Sequence, residues 1–126
     1  MTILIIEDTA ELREVLKDEF IYHGFNVFEA SDGIEGFKLL AQEKITVVLC
    51  DLLMPNGSGI QFLNEARLNF KELPIFIMTG FSDHSEKEIM MLGATGYFEK
   101  PYIQIEKIVS YLQSSKDSTL VKNALR

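Results

Sequence analysis

At 126 residues, with 47% apolar and 25% charged side chains, the chain has the size and make-up of one globular domain with a full core. Its formal charge of −7 arises from 19 acidic against 12 basic residues with no local Lys/Arg cluster, which argues against nucleic acid or anionic lipid as a direct partner. No segment approaches the roughly 20 apolar residues of a membrane span, Met1 to Ile6 lacks the basic start of a signal peptide, and Cys50 lies inside an apolar run. A cytoplasmic protein with Cys50 as a core hydrophobe is expected.

Thr2 to Ile6 reads as a short buried strand ending in the acid pair Glu7-Asp8, after which Leu12, Val15, Leu16 and Phe20 recur at helical spacing until Gly24 stops them. Asn26 to Ala30 is a second strand, and Ser31-Asp32-Gly33 leads into a second helix with the stripe Ile34, Phe37, Leu40 and Ala41. Val47-Val48-Leu49-Cys50 is a Val-rich run too short for a helix, and it delivers Asp51 to its C-terminal end. Pro55-Asn56-Gly57 marks a loop, and Ser58 with Gln61 is spaced as a capping box before Ile60, Leu63, Ala66 and Phe70.

Pro74 opens a fourth strand over Ile75 to Met78, which ends in Thr79-Gly80. Ser85 and Glu88 form a second capping-box pattern for a short helix from about Glu86 to Leu92, in which Met90-Met91 reads as packing. Thr95 to Glu99 is the fifth strand, stopped by Lys100-Pro101, and Ile105, Ile108, Val109 and Leu112 share one face of a last helix. Residues 1–116 are expected to form the domain and 117–126 a polar tail, frayed or docked as a short helix. The 26 residues after Lys100 leave room for a helix and a tail but no second domain, so a stand-alone protein is expected. His23 and His84 read as surface residues.

Five alternations of strand and helix imply an α/β fold, a doubly wound five-stranded parallel sheet with helices on both faces. In the flavodoxin-like order 2-1-3-4-5, the first and third strands are neighbours, and the crevice beyond their C-terminal ends is where such folds bind ligands. Glu7, Asp8, Asp51, Thr79 and Lys100 all fall on that edge. A lone Asp after a strand is ordinarily a solvated or capping residue; three acids converging on one crevice is a different matter. Two unit charges about 4 Å apart repel by roughly 4 kcal/mol at an effective dielectric near 20, so the cluster calls for a cation. All-oxygen donors with no His or Cys beside them suit a hard ion, here Mg²⁺. A carboxylate beside such an ion can attack a phosphoryl group to form an acyl phosphate. Asp51 is the central candidate, with the Lys100 ammonium and the Thr79 hydroxyl as donors to the phosphoryl oxygens.

The acid pair Glu7-Asp8, Asp51 with Met54-Pro55 and Gly59, Thr79-Gly80, Gly93-Ala94, and Tyr97 with Lys100-Pro101 together resemble the receiver domain of two-component response regulators, over about residues 1–115. The resemblance implies a phosphorylation-controlled signalling switch in which Asp51 accepts a phosphoryl group from a sensor histidine kinase or phosphotransfer protein. It also implies Mg²⁺ held by Asp8, Asp51 and the backbone carbonyl of Leu53, with Glu7 acting mainly through water. Thr79 and Tyr97 would be the switch pair, although Tyr97 also fits a half-buried strand aromatic. Output would pass to a downstream effector protein, or to a homodimer, through the face of the fourth helix, fifth strand and fifth helix.

Three departures from the common pattern stand out. Ser58 replaces a frequent Asp, and the last helix starts close to Lys100. Leu53 and Phe81 are apolar at the positions two residues after Asp51 and Thr79, which implies slow self-dephosphorylation. Two alternatives remain: an interaction module that works without phosphorylation, and a Mg²⁺-dependent phosphohydrolase. The second lacks its acid/base, because enzymes of the haloacid dehalogenase type carry a second Asp where Leu53 stands. The protein is therefore expected not to be a turnover enzyme.

Overall fold

The computed structural model describes residues 1–54, 58–80, 85–100 and 103–124, with side chains to residue 114. Expectations resting on Pro55, Asn56, Gly57, Phe81, His84 and Pro101 lie outside the described residues. Strands β1 (Thr2–Ile6), β2 (Asn26–Ala30), β3 (Val47–Asp51), β4 (Ile75–Thr79) and β5 (Gly96–Glu99) alternate with helices α1 (Ala10–Tyr22), α2 (Gly33–Gln42), α3 (Gly59–Asn69), α4 (Glu86–Met91) and α5 (Ile105–Ala124). The strands pair in parallel in the order β2-β1-β3-β4-β5, the expected doubly wound arrangement.

Central strands β3 and β4 are buried throughout, as continuous apolar runs require when helices cover both faces of a parallel sheet. On one face, Leu40 of α2, Phe62, Leu63 and Ala66 of α3 and Ile89 of α4 pack against Leu4, Val48, Cys50 and Ile77. On the other, Leu16 and Phe20 of α1 and Ile105, Ile108 and Leu112 of α5 pack against Ile3, Ile5, Leu49 and Met78. Cys50 is a fully buried core residue. Among the described residues no helix is long and apolar enough to cross a membrane.

Helix starts follow their caps. The Asp32 side chain accepts from Glu35 N at 2.8 Å, and the Ser85 and Glu88 box forms in both directions. At α3, Ser58 accepts from Gln61 N at 3.1 Å, and only this half of the expected box is made among the described hydrogen bonds. Two stripes differ from expectation in phase. Val15 and Ile34 are 57% and 62% exposed, and Ala41 is exposed, whereas Phe62 and Gly36 are buried. Each helix is rotated by its docking so that the narrow strip over the sheet, not the whole apolar arc, is covered. α5 runs unbroken for 20 residues, so the polar stretch after Ser114 continues the last helix instead of docking as a separate one. With no Gly or Pro between Ile105 and Ala124, nothing in the sequence stops it.

Candidate functional site

Register brings the strand ends together. Ile6 pairs with Cys50, so the residues that follow them, Glu7 and Asp51, emerge side by side. Thr79 pairs with Glu99, and Lys100 N donates to Thr79 O at 2.9 Å, which fixes where the lysine leaves β5. From there the Lys100 side chain crosses the end of β4: Nζ donates to Asp51 Oδ2 at 2.9 Å and forms an ion pair with Glu7 Oε1. The Glu7 contact is a charge pair without hydrogen-bond alignment, and Oε1 is otherwise buried without a donor. The backbone behind Asp51 is braced by α3, whose Gly59 N donates to Leu52 O at 2.9 Å. A Cβ on Gly59 would overlap the Asp51 carbonyl oxygen, so only glycine lets the helix start this close.

Carboxylate oxygens of Glu7, Asp8 and Asp51 all lie within 4.8 Å of one another. Glu7 and Asp51 are buried, and Asp8 is exposed at the mouth. Burial, a hydrogen bond with Asp8 and the charge of Asp51 push the Glu7 carboxyl up to about 7, against the opposing pull of Lys100 and Thr9 N. Burial alone would lower the Lys100 pKa, but its contacts with Glu7 and Asp51 outweigh this and raise it above the ordinary lysine value. Within this cluster three carboxylates thus meet one ammonium, and the donor set fits a hard divalent cation.

Around this centre, Thr79 is buried at the end of β4, and Tyr97 is half-buried on β5 against the α2-α3-α4 side of the core. Burial, followed by the charges of Glu99 and Glu86, raises the Tyr97 pKa, so the phenol stays protonated. Leu53 N donates to Asp51 Oδ1 at 3.4 Å, while its side chain is 53% exposed. His23 is a surface residue at the end of α1, with Nδ1 2.9 Å from Glu19 O. Every site residue expected from the sequence that can be described therefore lies on one edge of the sheet.

Two arginines escaped the sequence reading. Arg13 Nη1 donates to Glu7 O at 2.7 Å, and its Nε lies 3.6 Å from Glu29 Oε1, so α1 holds the strand end that carries the acid pair. Arg67 donates to backbone carbonyls at the far edge of the sheet. A carbonyl acceptor has no sequence signature, and neither contact could be found from residue spacing.

The family model for the response regulator receiver domain matches residues 3–113. Response regulator MprA of Mycobacterium avium is 27% identical over 115 residues, which are 90% of this chain and 50% of that protein. The probable transcriptional regulator ycf27 of Porphyridium aerugineum is 34% identical over 101 residues, 79% of this chain and 42% of that protein. The chain thus spans about half the length of the curated relatives it matches. Among solved structures, response regulator protein TrrA of Thermotoga maritima, in complex with Mg(2+)-BeF, superposes with a TM-score of 0.79 at 26% identity, covering 88% of this chain and 97% of that one. Chemotaxis protein CheY4 of Vibrio cholerae gives 0.78 at 27% identity, covering 90% and 96%.

Proposed function

This chain belongs to the response regulator receiver domain family, and from that premise we propose that it is a phosphorylation-controlled switch whose phosphoacceptor is Asp51. The carrying observation is the buried Asp51 carboxylate, hydrogen-bonded by Lys100 at 2.9 Å inside a cluster with Glu7 and Asp8. One Asp51 oxygen attacks the phosphorus of a phosphohistidine on a sensor kinase or phosphotransfer protein; the P–N bond breaks, and the imidazole nitrogen leaves with the electron pair and takes a proton. Lys100 then meets the incoming phosphoryl oxygens with its positive charge, and the Thr79 hydroxyl supplies a further donor. Mg²⁺, held by Asp8, Asp51 and the Leu53 carbonyl with Glu7 behind them, would neutralise the charge of the transferred group.

Thr79 and Tyr97 carry the change outward to α4, β5 and α5, where an effector protein or a second copy of the chain docks. Residues 1–116 make up the switch, and the following helical turns extend α5. The domain acts in the cytoplasm and signals by its state; it is not a turnover enzyme. A hydrolase is disfavoured because the half-exposed Leu53 offers no acid or base beside Asp51.

Incubation with acetyl phosphate and Mg²⁺, read by intact mass, should add one phosphoryl group to the wild type, with none added to Asp51→Asn or in EDTA. Equal labelling of Asp51→Asn would refute the assignment. In the wild type, amide shifts on adding Mg²⁺ and beryllofluoride should reach Tyr97 and residues 89–92.

A further inference from the structure

Arg67 sits near the end of α3, at the edge of the sheet where the strands begin, opposite Asp51. Its Nε donates to Gly93 O at 2.7 Å, and its Nη1 donates to Phe70 O at 2.9 Å and Leu73 O at 2.7 Å. Nη2 lies 3.5 Å from Thr95 Oγ1, a hydroxyl that also accepts from Ile75 N at 3.0 Å. Thr95 N in turn donates to Ile75 O at 2.7 Å. One planar group therefore ties together the end of α3, the entry to β4, the exit of α4 and the entry to β5. A guanidinium does this because its donors have fixed directions, which an ammonium lacks.

The exit of α4 is seated on that group. Gly93 takes φ +107°, a conformation suited to glycine, and a Cβ there would press on Arg67 Cγ and Nε at 3.1 Å. Gly93 N closes back onto Met90 O at 3.1 Å, and Ala94 is buried. The first turn of α4 is held in another way. The capping box of Ser85 and Glu88 is internal to the helix, and residues 85–88 are exposed. Between the two ends, Ile89 is the buried contact with the core.

We propose that Arg67 is a positioning residue that makes Gly93 the pivot of α4, so that phosphorylation of Asp51 swings residues 85–88 while residues 92–95 stay in place. The inference rests on the switch reading above. Moving Gly93 would break bonds shared by α3, β4 and β5, whereas a swing of the first turn carries its own capping box with it and breaks none of them. A six-residue helix is only about 9 Å long, so a small rotation about one end displaces mainly the other.

The test is amide NMR of the full chain with Mg²⁺, with and without beryllofluoride, in wild type, Arg67→Gln and Arg67→Lys, below each variant's unfolding temperature. In the wild type the shifts should be large at Glu86 to Glu88 and decline toward Gly93 and Thr95. Arg67→Gln should flatten that gradient, with Gly93 and Thr95 responding as strongly as Glu86; Arg67→Lys, able to reach a carbonyl, should restore part of it. If Arg67→Gln does not fold, the wild-type gradient and its weakening in Arg67→Lys decide. Shifts of equal size at both ends of α4 in the wild type, or a gradient unchanged in the variants, would overturn the pivot even though Asp51 and Leu52 respond. No response at Asp51 and Leu52 would overturn the switch reading and the pivot with it.

Discussion

Two cations reach across the ends of this sheet, and they meet opposite company. Lys100, at the edge where the strands end, faces the carboxylates of Glu7 and Asp51 in a cluster where negative charge exceeds positive. Arg67, where the strands begin, faces the neutral carbonyls of Phe70, Leu73 and Gly93 and satisfies them. The first arrangement is poised to change when a dication or a phosphoryl group arrives; the second has nothing to gain from either. Local conflict is concentrated where chemistry is expected, and local consistency holds the rest of the fold steady.

The comparison can be broken at several points. The largest effect is expected from Asp51→Asn, which should abolish phosphorylation by a small phosphodonor while leaving the urea midpoint close to wild type, because the amide keeps the shape of the carboxylate.

Next, Arg67→Met should destabilise by about 2–4 kcal/mol in urea unfolding, since several partly buried carbonyls lose their donor. That loss should be nearly independent of salt between low and high ionic strength, because the acceptors are uncharged. Lys100→Met should show the reverse profile: a smaller loss, and one that added Mg²⁺ offsets. Equal salt and Mg²⁺ responses in the two variants would erase the distinction between the edges.

A smaller effect follows from Glu7. Its carboxyl titrates at about 7 in the folded chain against an ordinary 4.5, chiefly through burial. The folded state therefore binds the proton more tightly than the unfolded one. The resulting stability is complete below pH 4.5 and is lost as pH rises through about 7. Without metal, the melting temperature of wild type should fall over that window. Glu7→Gln should remove most of the fall, a difference on the order of 1 kcal/mol once solvent screening is allowed for. Mg²⁺ at pH 8 should stabilise wild type more than Glu7→Gln.

The smallest expected effect concerns lifetime. Leu53 cannot orient a water toward the acyl phosphate, so Leu53→Asn should speed decay of the phosphorylated protein, by up to about tenfold if the amide lowers the barrier by about 1.4 kcal/mol. Decay no faster than wild type would show that this side chain plays no part.

Much of the molecule was determined by short-range pattern. Apolar runs of strand length, the acids and the lysine that end them, and the Asp32, Ser58 and Ser85 caps are all relations between residues a few positions apart, so chain order alone put Glu7, Asp8, Asp51, Thr79 and Lys100 at strand ends. Tertiary structure decided what depends on docking. It selected Glu7 for burial against Lys100 and left Asp8 at the mouth. It turned Val15 and Ile34 outward while burying Phe62. It also carried Arg67 to a carbonyl 26 residues away at Gly93. The reason is physical: an apolar arc on a helix is wider than the strip the sheet covers, and a backbone carbonyl looks the same at every residue. Only the packed fold chooses which arc is covered and which carbonyl is reached.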